Sequence, residues 1–308
     1  MNLTSLQYVL ALHEHQHFGR AAAACHISQP ALSNALRALE EELGVAIVRR
    51  GRVFQGFTPE GERVLGAAQR MLHERRLLLQ DLSGQEDAPQ GELRIGAVPS
   101  AMALAARFAA MLQKHQPGIA PVVRSMSSPD IQTGLDTLTL DLALGYPDRH
   151  QPQADRLQLW PQYQERYFLL CRAAEGISPV PTTWAAAAQW PLCLLTPEMH
   201  HRQLIDQAFQ SAGTRVQPVM QTDSILALAL AVRDGAVCSI LPTAMVGLIR
   251  SWPGLVVQPL QEPVMQTPIA FMALASERPP RVLRAALAYL QQPEWQAQAR
   301  AQDALALL

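Results

Sequence analysis

Gln29, Ser33, Asn34 and Arg37 recur within one short stretch of otherwise apolar pattern. Their types suit the edges of base pairs. Gln and Asn can pair bidentately with adenine, and Arg can reach guanine or a phosphate. Such reading requires side chains near the N-terminus of a helix laid in the major groove. Ser28 and Pro30 mark that N-terminus: Ser is a capping type, and Pro in a first turn loses no hydrogen bond. The free N–H groups at Ser28-Gln29 also suit a phosphate. Arg49, Arg50 and Arg52 follow in a stretch read as a small hairpin, placed to touch a nucleic-acid backbone, and Arg20 precedes the helix. Residues 1–57 hold five arginines against four glutamates, a net +1, so attraction must come from placement. Glu40, Glu41 and Glu42 cluster at the far end of the helix, which leaves its start to the arginines.

A second set of polar residues follows short apolar runs. Val98-Pro99-Ser100, Ser127-Ser128-Pro129 and Thr196-Pro197-Glu198-Met199-His200-His201 each open a helical segment. Hydroxyls and helix N-termini facing one cleft would suit a small carboxylate or other oxyanion. Met102, Tyr146 and Asp223 complete the candidate set. Plainer readings stand beside this one. The serines can be simple N-caps, Tyr146 can pack, Asp223 can cap with Ser224, and His200-His201 can be a solvated pair. Two histidines without a third ligand make no metal site, and no cofactor is expected.

The elements that must carry these residues follow from periodicity. Leu3–His15 and Gly19–Cys25 read as helices, and a third runs from Ser28 to Gly44 with Leu32, Leu36, Leu39 and Leu43 on one face. Val45–Phe57 reads as the hairpin. Thr58-Pro59-Glu60-Gly61 opens a long helix to about Leu82, in which Leu65, Leu72 and Leu79 recur every seven residues. Arg75 interrupts that seam, which predicts a short, imperfect coiled-coil interface. Ser83–Gly91 reads as a linker. Beyond it, strand-like runs (Glu92–Ala97, Pro121–Ser125, Leu140–Gly145, Arg166–Cys171, Leu192–Leu195, Ser239–Leu241, Ile269–Leu274) alternate with helical ones. That alternation predicts α/β units with parallel strands.

The runs Phe18-Gly19-Arg20-Ala21-Ala22, His26-Ile27-Ser28-Gln29-Pro30-Ala31-Leu32-Ser33, Leu36, Leu39-Glu40, Leu43-Gly44 and Phe57-Thr58-Pro59-Glu60-Gly61 resemble the signature of the LysR-type transcriptional regulators. The similarity is dense over residues 1–65 and weaker over the rest. It implies an α/β protein overall, in four parts. These are an all-α winged helix-turn-helix at 1–58, a dimerising linker helix at 59–83, a hinge at 84–90 and a two-lobed, periplasmic-binding-protein-like effector domain at 91–308. One lobe would hold about 91–165 and 269–308, the other about 166–268. DNA contacts would fall on Arg20, Ser28, Gln29, Pro30, Ser33, Asn34, Arg37, Arg50 and Arg52, and effector contacts on Ser100, Met102, Ser128, Tyr146, Thr196, His200, His201 and Asp223. The resemblance also implies a homotetramer, as a dimer of dimers on an interrupted inverted repeat of double-stranded DNA, acting on RNA polymerase. Two departures are visible. The wing begins Ile47-Val48 where Leu-Phe is usual, and Val237 stands where the family often has glycine.

The N-terminal half resembles the peroxide-responsive branch of that family. The reactive position would fall near His200–His201, where no cysteine occurs, so thiol sensing is kept as an alternative. Cys25, Cys171, Cys193 and Cys238 lie far apart in sequence, without zinc-site spacing. This suits a reduced, cytoplasmic protein. No run is long enough to span a bilayer, and no signal-peptide pattern opens the chain. Enzyme motifs such as Gly-x-Ser-x-Gly, a phosphate-binding glycine loop or His-Glu-x-x-His are absent, which makes a ligand-processing enzyme a remote alternative. The net charge of −1 gives no global sign of a polyanion partner.

Overall fold

The computed structural model describes residues 2–49, 51, 53–83, 89–147, 156–173, 178–249 and 251–305. Arg50, Arg52 and most of the predicted hinge lie outside the described residues. The chain divides into two compact units, one built on Met1–Gly84 and the other on Gln85–Leu135 with Leu140–Leu308.

In the first unit, helices α1 (Leu3–His15), α2 (Phe18–Ala24) and α3 (Gln29–Leu43) precede the long α4 (Pro59–Ser83). Each start has a chemical cause. Asn2 caps α1, the His17 ring accepts from Gly19 N and Arg20 N to cap α2, and Ser28 Oγ accepts from Ala31 N to cap α3. Gly44, at φ 68°, ends α3 in the left-handed conformation that favours glycine. Leu32, Leu36 and Leu39 are buried on the inner face of α3 and pack with Leu6, Val9 and Leu12 of α1. Burial of such a leucine is worth roughly 1.5–3 kcal/mol.

Among the described residues of the predicted hairpin, one isolated antiparallel bridge is present, Val48↔Phe57. Glu40 Oε1 accepts from Ile47 N (2.7 Å) and Val48 N (3.1 Å) and so pins the start of the wing to the end of α3. Thr58 Oγ1 accepts from Gly61 N and donates to the Ala46 carbonyl. Gly61 is forced: a Cβ there would lie 2.0 Å from the Ile47 carbonyl oxygen. On α4, Leu65 and Ala68 are buried, whereas Met71, Leu78, Leu79 and Leu82 are exposed.

Among its described residues the second unit holds two sheets. In the first, β1 (Gly91–Ala97), β2 (Ile119–Ser125), β3 (Leu142–Gly145), β4 (Leu157–Glu165) and β11 (Thr267–Leu274) lie in the order β2-β1-β3-β11-β4. Helices α5 (Met102–His115), α6 (Ser128–Asp136), α11 (Arg281–Leu290) and α12 (Pro293–Leu305) accompany it. Six strands form the second sheet: β5 (Tyr167–Arg172), β6 (Thr182–Thr183), β7 (Leu192–Leu195), β8 (Met220–Thr222), β9 (Cys238–Pro242) and β10 (Leu255–Gln261). Their order is β6-β10-β5-β9-β7-β8, with α7 (Trp184–Ala187), α8 (His200–Ser211), α9 (Ile225–Asp234) and α10 (Thr243–Ile249).

The expected parallel pairing is present but is not the whole of either sheet. β2, β1 and β3 are parallel, but β11 runs antiparallel to β3 and β4, and β5 runs antiparallel to β9 and β10. The unanticipated β4 alternates apolar residues with Gln158, Gln162 and Gln164 and contains Pro161, a pattern tolerated on an edge strand. The main chain passes from one sheet to the other at Arg166. There the Thr243 hydroxyl accepts from Arg166 N (2.9 Å) and donates to Arg166 O (3.1 Å), so one side chain grips both sides of the crossover.

Candidate functional site: an exposed helix face and an inter-lobe pocket

In the first unit, Ser28, Gln29, Pro30, Asn34 and Arg37 are exposed along α3, and Ser33 is half-buried. Gln29, Ser33 and Arg37 are four residues apart and therefore share one face. Together with Arg49, Phe18 and Val48 they line an open concavity of about 260 Å³. Arg20 is also exposed, but its guanidinium donates to the His15 carbonyl at 2.8 Å and thereby holds the α1–α2 corner.

In the second unit a pocket opens between the lobes. Val98, Pro99, Ser100, Ser127, Ser128 and Tyr146 line it from the first lobe, and Leu195, Met199, His200 and His201 from the second. Its free volume is about 10 Å³, roughly the room one water needs. Of the eight residues proposed from sequence for an effector, the pocket brings together Ser100, Ser128, Tyr146, His200 and His201. Met102 packs against the first-lobe core instead. Thr196 lies in the turn before α8, where its carbonyl accepts from Met199 N, and does not line the pocket. Asp223 is exposed beside Ser224, and Ser224 alone supplies the cap of α9.

Ser100 and Ser128 do not act as plain N-caps. A short 3-10 turn, Pro99–Ala101, takes Ser100 out of the cap position of α5. Ser100 Oγ instead pairs with Tyr146 OH at 2.8 Å, and Tyr146 OH donates to Glu165 Oε1 at 3.0 Å. Ser127 takes the capping role at α6, accepting from Asp130 N and donating to Asp130 Oδ2. That leaves Ser128 Oγ buried with no partner among the described residues. The solvated-pair reading of the histidines is likewise corrected. His201 is 2% exposed, and neither ring nitrogen has a partner among the described residues. His200 stacks edge-on against Tyr146, with ring centroids 4.6 Å apart. Arg202, next to His201 in sequence, points elsewhere: its side chain donates to Leu195 O, Gln221 Oε1 and Asp206 Oδ1.

Two ionisable groups here are held neutral. Burial, with the neighbouring His200, lowers His201 to about 3. Burial raises Glu165 to about 8, even though the Tyr146 hydroxyl donates to it. Desolvation disfavours whichever form is charged, which is why the two move in opposite directions. Glu165 and its neighbour Tyr167, whose hydroxyl pairs with Thr267 at 3.1 Å, were not anticipated. The signal was present: Tyr163-Gln164-Glu165-Arg166-Tyr167 sets one acid between tyrosines at the end of an alternating strand. Among the described residues, no three His, Cys, Asp or Glu side chains gather as a metal site, and no helix is long and apolar enough to cross a membrane.

Comparison with known proteins fits this geometry. Residues 3–62 match the bacterial regulatory helix-turn-helix of the lysR family, and residues 86–293 match the LysR substrate binding domain. The chain therefore belongs to the LysR family of transcriptional regulators. A hydrogen peroxide-inducible genes activator from Dickeya chrysanthemi is 36% identical over 145 residues, 47% of this chain and 48% of that protein. The match thus spans about half the length of that relative. An SDS degradation transcriptional activation protein from Pseudomonas sp. is 31% identical over 257 residues, 80% of each chain. Among solved structures, a full-length OxyR variant from Pseudomonas aeruginosa aligns with a TM-score of 0.68 and 26% identity, covering 94% of this chain and 97% of that one. CbnR complexed with its target DNA aligns with a TM-score of 0.67 at 19% identity, covering 97% and 100%, and shows the shared fold.

Proposed function

We propose that this protein is an effector-responsive, sequence-specific DNA-binding regulator whose effector is a small anion held in the inter-lobe pocket. The observation that carries the effector reading is the set of buried polar atoms without partners in that pocket: Ser128 Oγ and both ring nitrogens of His201. Buried polar groups are almost always paired, and leaving one unpaired costs about 1–3 kcal/mol. A ligand that supplies the missing partners recovers that cost. Lys and Arg are absent from the described lining, so charge balance for a carboxylate or oxyanion falls to the N-termini of α6 and α8. The pocket is too small for more than about one water, so a larger ligand must part the lobes. The ligand thereby favours one lobe arrangement, by its difference in affinity for the two.

On the DNA side, Gln29, Ser33, Asn34 and Arg37 read base edges while Ser28, Pro30, Arg20, Arg50 and Arg52 position the helix on phosphates. The target is an interrupted inverted repeat. The exposed Met71, Leu78, Leu79 and Leu82 of α4 support self-association through the linker helix into a dimer of dimers. The complex acts in the cytoplasm on access of RNA polymerase to a promoter, and the ligand is returned unchanged rather than turned over.

A thermal-shift panel on the full chain tests the effector reading. The panel is small carboxylates, inorganic oxyanions, amino acids and aromatic acids. One chemical class should give a saturable rise. A flat response across the panel from folded protein would contradict the anionic effector.

A further inference from the structure

We propose that Cys171 and Cys238 form an oxidisable dithiol that closes to a disulfide between β5 and β9. The register places them. β5 and β9 pair antiparallel as Tyr167↔Pro242, Phe168↔Leu241, Leu169↔Ile240 and Leu170↔Ser239. The next step of that register sets Cys171 directly opposite Cys238, the first residue of β9. Both side chains belong to the cluster that holds Trp184, Ile205 and Phe209, so they project from the same face of the sheet. Cys193 belongs to the cluster on the other face. Cys171 and Cys238 are both free thiols and are buried in that one cluster.

Residues directly opposite on antiparallel strands have Cβ atoms about 4.5–5.5 Å apart, and a disulfide needs about 3.5–4.5 Å. A small local closure covers that difference. The pair also sits at the end of the sheet. Cys171 is followed by the exposed Arg172 and Ala173, and Cys238 by sequence follows the exposed Ala236 and half-buried Val237. Of the two, Cys238 is the more accessible, at 5% exposure against 1%.

The chemistry divides the roles. Cys238 is the more exposed of the two and the proximity of Cys171 lowers it, whereas Cys171 is raised by the neighbouring Cys238 and by burial. The thiolate is the nucleophile. Cys238 Sγ attacks the terminal oxygen of a hydroperoxide, the O–O bond breaks, and the leaving alkoxide or hydroxide takes up a proton. Cys238 becomes a sulfenic acid. Cys171 Sγ then attacks that sulfur, its own proton leaves with the departing hydroxide as water, and the S–S bond forms. Overall, two thiols and one hydroperoxide give one disulfide, one alcohol or water, and one water. Two electrons pass from the sulfurs to the peroxide oxygens. The bond ties β5, the strand entered from the Arg166 crossover, to β9, the strand that ends beside Thr243.

The test uses the full chain, reduced without oxygen and then treated with hydrogen peroxide. It is unfolded in an alkylating reagent, its free thiols are counted, and it is mapped as non-reduced peptides. The expected result is loss of two of the four thiols, one intrachain peptide joining Cys171 to Cys238, and recovery of all four thiols with dithiothreitol. Cys171→Ser should stop the reaction at a Cys238 sulfenic acid that dimedone traps, and Cys238→Ser should leave Cys171 reduced. The wild-type count needs no variant to fold. Four free thiols after peroxide would overturn the proposal. So would a link through Cys25 or Cys193, a link between chains, or Cys238 oxidised to a sulfinic acid with no link in wild type.

Discussion

The α3 face and the inter-lobe pocket solve opposite problems. On α3 the functional side chains point outward, and the helix that carries them is fixed by apolar burial on its other side. In the pocket the functional groups point inward, and two of them stay buried without partners. An outward face costs little to keep when no DNA is bound. An inward one stores unmet hydrogen bonds and unfavourable charge states in the fold itself. The first region should therefore tolerate substitution of its functional residues without loss of stability. The second should trade stability against binding.

The largest test of this contrast is pH. Glu165 stays protonated in the fold up to about 8, whereas the unfolded chain ionises it near 4.5. A folded value above the unfolded one gives stability that is complete below 4.5 and is lost as pH rises through 8. Urea unfolding of the effector unit should show a fall on the order of a few kcal/mol across that window. Glu165→Gln, which keeps an oxygen for Tyr146, should flatten it. His201 has the opposite sign: its folded value of about 3 lies below 6.5, so its contribution is present above 6.5 and lost as pH falls toward 3. A Glu165→Gln variant with an unchanged high-pH limb would break the claim that charge is suppressed here.

Gly61→Ala should be nearly as severe, but in the other unit. Its Cβ meets a backbone oxygen at 2.0 Å, and backbone cannot rotate away. A loss of about 3 kcal/mol is expected. It should be seen as early unfolding of the N-terminal unit and loss of operator binding, with effector binding retained. Next in size, Gln29→Ala and Arg37→Ala should each cost about 1–3 kcal/mol of specific operator binding with no change in melting temperature. Unchanged operator affinity and unchanged discrimination against scrambled DNA in both variants would leave base reading to other residues.

The smallest effect has the most diagnostic sign. Ser128→Ala removes a buried hydroxyl that has no partner, so it should stabilise the unliganded chain by about 1 kcal/mol while weakening effector binding. Destabilisation would mean that the hydroxyl has a structural partner.

Legibility in the sequence follows the same division. The bounds of α3 were legible because their causes are local: Ser28 and Pro30 fix its start and Gly44 its end whatever the rest of the chain does. The face of α3 could be read for the same reason. The pocket was legible only in part. Ser100, Ser128 and Tyr146 were found as residues after strands, but their partners were not, because Ser100, Tyr146 and Glu165 meet only through the tertiary fold. Met102 and Asp223 met the sequence rule and face elsewhere. The antiparallel strands β4 and β10 were missed because each carries a proline and mixed polarity, which weakens the strand signal at or near a sheet edge.

The central claim is that the unpartnered atoms of the pocket belong to an effector. Calorimetric titration tests it most directly. The anion giving the largest thermal shift would be titrated into wild type, Ser128→Ala and His201→Phe at pH 7. The account predicts at least tenfold weaker binding in both variants, with operator affinity in the absence of ligand unchanged. Wild-type affinity in both variants would place the ligand elsewhere and leave the buried Ser128 and His201 without a function.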